Sequence, residues 1–113
     1  VTALEREATR RGVKPPGVAT LRRYGLTVEE WLELMAAQDW KCPVCHRRSG
    51  VQWVTDHEHV PMWKHKPPEE RKRYVRGVLC AYDNRWHVPS RMSSVQSQRI
   101  TDYLAAYEAR RNA

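Results

Sequence analysis

Asp56-His57-Glu58-His59 puts two acids and two imidazoles in four consecutive residues, and Asn84 follows one short segment later. Carboxylate and amide oxygens are hard ligands that suit Mg²⁺ or Mn²⁺. An imidazole changes protonation near neutral pH and can take a proton from water. A base for water, a cation for the charge on the leaving oxygen, and ligands for that cation are what phosphodiester hydrolysis needs. Each feature has a plainer reading when taken alone. An Asp-His pair is more often a surface hydrogen bond, an Asn after a strand is more often a turn or cap, and His-x-His serves transition metals.

Cys42-Pro43-Val44-Cys45 has the spacing of a zinc knuckle, whose turn lets both sulfurs meet one ion. Cys80-Ala81-Tyr82-Asp83 repeats that spacing with a carboxylate in the last place. Three thiolates and Asp83 make an acceptable zinc set, with His46, His65 and His87 as rival fourth ligands. Asp83 also reads as a helix N-cap. Three cysteines cannot close into pairs, so metal ligation in a reducing compartment is expected rather than a disulfide framework.

Two strands and a helix must position these groups. Residues 2–11 read as a helix stopped by Gly12, and Val18 to Tyr24 as a second one stopped by Gly25. Thr27 and Glu30 form a capping box, so a helix should begin at Val28 with Trp31, Leu34 and Met35 facing the core. Val51 to Asp56 reads as a strand, Pro61 to Arg73 as a polar loop, and Tyr74 to Leu79 as the second hairpin strand. A short helix is expected near Asp83 to His87. A second capping box at Ser93 and Gln96 should open a C-terminal helix marked by Val95, Ile100, Tyr103, Leu104 and Tyr107. In a ββα unit, the end of the first strand and the start of that short helix converge.

The 113 residues suit one domain with a modest core, for which a metal staple would be valuable. A net charge of +7 favours a polyanion, though solubility explains charge equally well. Residues 1–23 and 60–79 each carry a net +4 and flank a middle, 24–59, that carries −3. Arg76 and Arg85 are the expected phosphate clamps, and Lys64, Lys66, Lys72 and Arg73 would extend the basic face. Trp53, Trp63 and Trp86 are expected to pack rather than to stack on bases. No apolar run is long enough for a membrane span, and no signal-peptide pattern stands out. Val1 is not an initiator Met, so a trimmed chain is expected.

The ordered set Tyr24-Gly25-Leu26-Thr27, Glu30, Cys42-Pro43-Val44-Cys45, Thr55-Asp56-His57-Glu58-His59, and Val75 through Asn84 resembles the recombination endonuclease VII family. That family is a branch of the HNH, or His-Me finger, superfamily. The resemblance covers about residues 20–110. It implies an α+β, mainly helical fold, in which a ββα-metal core carries a structural zinc site and flanking helices. Residues 1–23 would be a basic helical segment and 24–113 the nuclease domain.

By the same resemblance, Asp56 and Asn84 would hold Mg²⁺ or Mn²⁺, His57 would be the general base, and His59 would assist. Cys42, Cys45, Cys80 and Asp83 would hold Zn²⁺. Double-stranded or branched DNA would be cut to 5′-phosphate ends, in the cytoplasm of a bacterial or phage-infected cell. A homodimer is left open. The chain departs from the family pattern in four places: Asp83 replaces a Cys, the loop after Val60 is long, His87 stands near an expected acid, and long dimerising helices are missing or reduced. Two other readings remain: a non-catalytic zinc module for DNA or protein, or an HNH subunit of a larger phage or defence complex that could also cut RNA.

Overall fold

In the computed structural model, which describes residues 1–86 and 94–113, the capping box at Thr27 and Glu30 is formed in both directions. It opens helix α3 (Val28–Ala37) and stabilises it by about 1 kcal/mol. Before it come α1 (Ala3–Arg10), capped by the Thr2 hydroxyl, and α2 (Val18–Arg23). After it come strand β1 (Trp53–His57), helix α4 (Pro68–Arg71), strand β2 (Val75–Cys80), helix α5 (Ala81–Trp86) and helix α6 (Ser94–Arg111). The fold is therefore a small α+β structure, about half helical, around one two-stranded antiparallel sheet.

Trp31, Leu32 and Met35 of α3 are fully buried against Val75 and Val78 of β2. Leu34, expected in this core, is only partly buried, and Leu32 takes the deeper place. The buried Trp31 indole N–H donates to Thr55 Oγ at 3.1 Å, which ties α3 to β1. Ala8, Val13 and Leu21 from the basic N-terminal segment share the same core.

Several boundaries differ from the sequence reading. The stretch 61–73 is not plain loop: it holds one-turn 3₁₀ segments at Trp63–His65 and Lys72–Tyr74 around α4. Pro68 at the first turn and the acids Glu69 and Glu70 behind it favour that helix start. α5 begins directly at Ala81, so Asp83 lies within its first turn rather than at its N-cap. Val95 is 57% exposed and faces away from the body, although Tyr107 is buried as expected. His87 and Ser93 lie outside the described residues.

β2 would present a bare edge to α3 without Gln38. Its amide N–H donates to the Val78 carbonyl at 2.7 Å, and its oxygen accepts the Val78 N–H at 2.8 Å. One side chain thus replaces a third strand at that residue. Gln38→Leu strands both backbone groups and should destabilise the fold by about 1–3 kcal/mol. Denaturant unfolding of the metal-loaded variant measures this, and an unchanged midpoint would contradict the role given to Gln38.

Candidate functional site

The chain reverses after α3 and delivers Cys42 to the base of β2. The knuckle is closed by Cys42 N–H to the Arg47 carbonyl at 3.0 Å and His46 N–H to the Cys42 carbonyl at 2.8 Å. Asp83 in α5 and Cys80 at the end of β2 complete a cluster with Cys42 and Cys45, whose four ligand atoms lie within 4.8 Å of one another. Cys45 and Cys80 sulfurs are 3.8 Å apart. Thiolates at about 2.3 Å from a tetrahedral zinc stand about 3.8 Å from each other, so the spacing fits. Asp83 Oδ2 accepts from the Cys42 thiol at 3.2 Å and the Cys80 thiol at 2.9 Å. Burial pushes the Cys42 thiol up to about 11, and burial with the Asp83 hydrogen bond pushes Cys80 up as well. Without an ion, these buried thiols keep their protons; an ion would replace them. The cluster could hold a metal such as zinc. Among the described residues, His46 and His65 stand outside it.

His57 ends β1 in an aromatic setting. Its ring stacks on Trp63 at 4.1 Å and on His59 at 4.9 Å, with Tyr24 at 5.6 Å. Gly25 makes this setting reachable: with φ +71°, its missing Cβ would sit 2.0 Å from the Pro68 carbonyl oxygen. α2 and α4 therefore close on each other there, and Tyr24 meets Trp63 at 5.5 Å. His57, His59 and Trp63 line a cleft of about 370 Å³, with Lys64 and His65 on its wall. Burial lowers the His57 pKa, and His59 and Arg76 add to the shift against the pull of Asp56. The imidazole is thus neutral at pH 7 and able to accept a proton.

Asp56 points to the other side of β1, under α6. It is only 4% exposed. Its Oδ2 accepts from Arg76 Nε at 2.9 Å and from the Tyr103 hydroxyl at 2.7 Å, and its Oδ1 accepts from Arg76 Nη2 at 3.2 Å. A bulge between Asp56 and His57 leaves Arg76 without a partner residue on β1. Glu58 follows on the same face and accepts the Tyr107 hydroxyl at 2.7 Å. Sequence reasoning placed Tyr103 and Tyr107 on the helix but missed their polar contacts. The tyrosine spacing was the available signal.

Asn84 is half-buried on α5, which packs against both strands. Lys64, Arg73 and Arg85 are exposed. Arg76 grips Asp56, Lys72 pairs with Glu30, and Lys66 pairs with Glu70 at 3.3 Å. Trp63 is buried as expected of a packing residue.

The sequence model of the family described as recombination endonuclease VII matches residues 18–106, from α2 through most of α6. The chain belongs to that family. The chain is similar to Gene 59 protein of Mycobacterium phage D29, at 29% identity over 87 residues. Those residues are 74% of this chain and 46% of the relative, so the chain spans about half the length of the curated relative it matches. No solved structure matches the chain significantly. For an endonuclease VII family member, the clustered Cys42, Cys45, Cys80 and Asp83 and the β1 end at Asp56 and His57 are the chemically equipped places. No helix among the described residues is long and apolar enough to cross a membrane.

Proposed function

We propose that residues 24–113 form an HNH-type DNA endonuclease centre, braced by zinc and working with one Mg²⁺ or Mn²⁺. The observation that carries this reading is a neutral His57 in an open cleft at the end of β1, in a chain whose residues 18–106 match the endonuclease VII family. Asn84 sits on the helix that starts where β2 ends, so hairpin and helix supply one hard ligand each. His57 takes a proton from the attacking water, and its stack on Trp63 and His59 fixes the ring plane. His59 shares the cleft and assists at the phosphate. The cation, when bound by Asp56 and Asn84, would neutralise the charge that develops on the departing 3′-oxygen. Lys64, Arg73 and Arg85 contact neighbouring phosphates without reading sequence. Cys42, Cys45, Cys80 and Asp83 hold zinc that joins the end of α3 to the start of α5.

Incubating the zinc-loaded protein with supercoiled plasmid tests the reading. Omitting Mg²⁺ is the proper control, because a chelator would also strip zinc. Nicking that needs added Mg²⁺ or Mn²⁺ is the expected result. DNA retention in a gel without nicking would assign a zinc-binding interaction module instead. Faster cleavage of an RNA strand than of DNA would move the substrate class.

A further inference from the structure

After β1 the chain turns on Pro61 and Met62, and the Trp63 N–H donates to the Val60 carbonyl at 3.3 Å. Met62 holds the third place of this turn with φ +61° and ψ +22°, in the left-handed region. Glycine or asparagine is the usual residue in such a place after proline, because other side chains are strained there. Met62 is also 67% exposed, so no packing of its side chain offsets the strain. Strain of this kind persists where the surroundings enforce it, and it gathers at functional sites.

The surroundings do enforce it. Trp63 is buried, stacks on the His57 ring at 4.1 Å, lies 5.5 Å from Tyr24, and carries the Arg71 guanidinium 5.8 Å over its own ring. The His65 N–H donates to the Met62 carbonyl at 3.0 Å, and the Lys66 N–H to the Trp63 carbonyl at 3.1 Å. Through Trp63, the Met62 tip keeps a fixed register with His57. Val1, Val18, Tyr82 and Val95 are exposed apolar side chains too, but Met62 lines the His57 cleft, beside His59, Lys64 and His65. Among the described residues, no acid lines that cleft. A phosphate chain passing His57 therefore meets an ammonium and imidazoles, with a thioether next to them. Phosphate offers an apolar side chain nothing, whereas base faces remove it from water.

We propose that Met62 is a wedge: its side chain enters bound duplex DNA and partly unstacks the base step beside the scissile phosphate. This rests on His57 being the base of a DNA nuclease, as proposed above. Methionine is among the side chains that proteins insert between base steps, kinking the duplex by about 20–90°. Pyrimidine–purine steps unstack most easily, so the wedge makes them the favoured cut positions. Sequence preference then arises without a hydrogen bond to any base edge.

Sequencing the ends of plasmid nicked by the zinc-loaded protein maps the cut positions. A short duplex carrying 2-aminopurine at the preferred step is then bound without Mg²⁺, and its fluorescence is read, since unstacking brightens this base. The unaltered chain should cut mainly at pyrimidine–purine steps and brighten the probe. Met62→Gly should lose both the step preference and the brightening while nicking persists. Glycine suits the left-handed turn, so the thermal midpoint of that variant should stay near that of the unaltered chain. Met62→Leu keeps an apolar tip and should retain both effects. An even cut map or a dark probe with the unaltered chain would overturn the wedge. So would a Met62→Gly variant that brightens the probe fully, or a Met62→Leu variant that fails as Met62→Gly does. If the unaltered chain does not nick DNA with Mg²⁺, the nuclease reading itself fails and the wedge falls with it.

Discussion

His57→Ala lowers the rate of phosphodiester cleavage by about 10²–10⁴-fold, the range that a positioned general base contributes. The neutral imidazole is the reason, since burial, with His59 and Arg76 adding to the shift, keeps its proton-accepting nitrogen available at pH 7. The variant also removes a ring stacked on Trp63 and His59, so folding must be measured beside activity. His57→Gln, which keeps a polar side chain of similar reach, should lose as much rate with less disturbance of the stack. Zinc content and thermal unfolding should stay near those of the unaltered chain in both. Quantitative plasmid nicking at saturating Mg²⁺ checks the rate. Activity within a few-fold of the unaltered chain in either variant would remove His57 from the role of base.

Stripping metal from the Cys42, Cys45, Cys80 and Asp83 cluster should abolish cooperative unfolding. Structural zinc contributes about 10 kcal/mol or more to folding in small domains. Whole domains are stable by about 5–15 kcal/mol, so the loss would consume most of the total. The geometry explains the dependence. Cys42 is fully buried, and the cluster links the chain after α3 with the β2–α5 junction. Binding replaces protons on thiols that burial has raised, so metal affinity falls as the solution is acidified. Cys42→Ser should give the same collapse as a chelator, read as lost thermal cooperativity by circular dichroism. Asp83→Cys should instead tighten zinc binding, because four thiolates are the commoner structural set. A cooperative transition of unchanged midpoint after metal removal would contradict the stapling role.

Local patterns in the sequence carried much of this account. The Thr27–Glu30 capping box, the two-residue spacing at Cys42 and Cys80, and the turn chemistry at Gly25 depend on neighbours within a few positions. All three were legible for that reason. The four ligand atoms of the cluster converge as the repeated spacing suggested. What escaped sequence reading depends on partners far along the chain. Tyr103 meets Asp56 across 47 positions, and Gln38 meets Val78 across 40. A tyrosine or glutamine at helical spacing looks the same whether its polar tip meets water or a buried strand. The stretch 61–73 misled for a different reason. Its prolines suggest loop, yet Pro68 at the first turn of a helix breaks no hydrogen bond there. Arg76 reads in the sequence as a phosphate clamp; in the fold the bulge beside Asp56 turns it onto that carboxylate, and its side chain is only 17% exposed.

Manganese titration followed by nuclear magnetic resonance tests the central claim most directly. Paramagnetic broadening should appear first on the Asn84 side-chain amide and the His57 ring of the zinc-loaded protein, and Asp56→Ala should remove it from both. Broadening that leaves Asn84 and His57 sharp while other residues lose their signals would contradict a shared cation site.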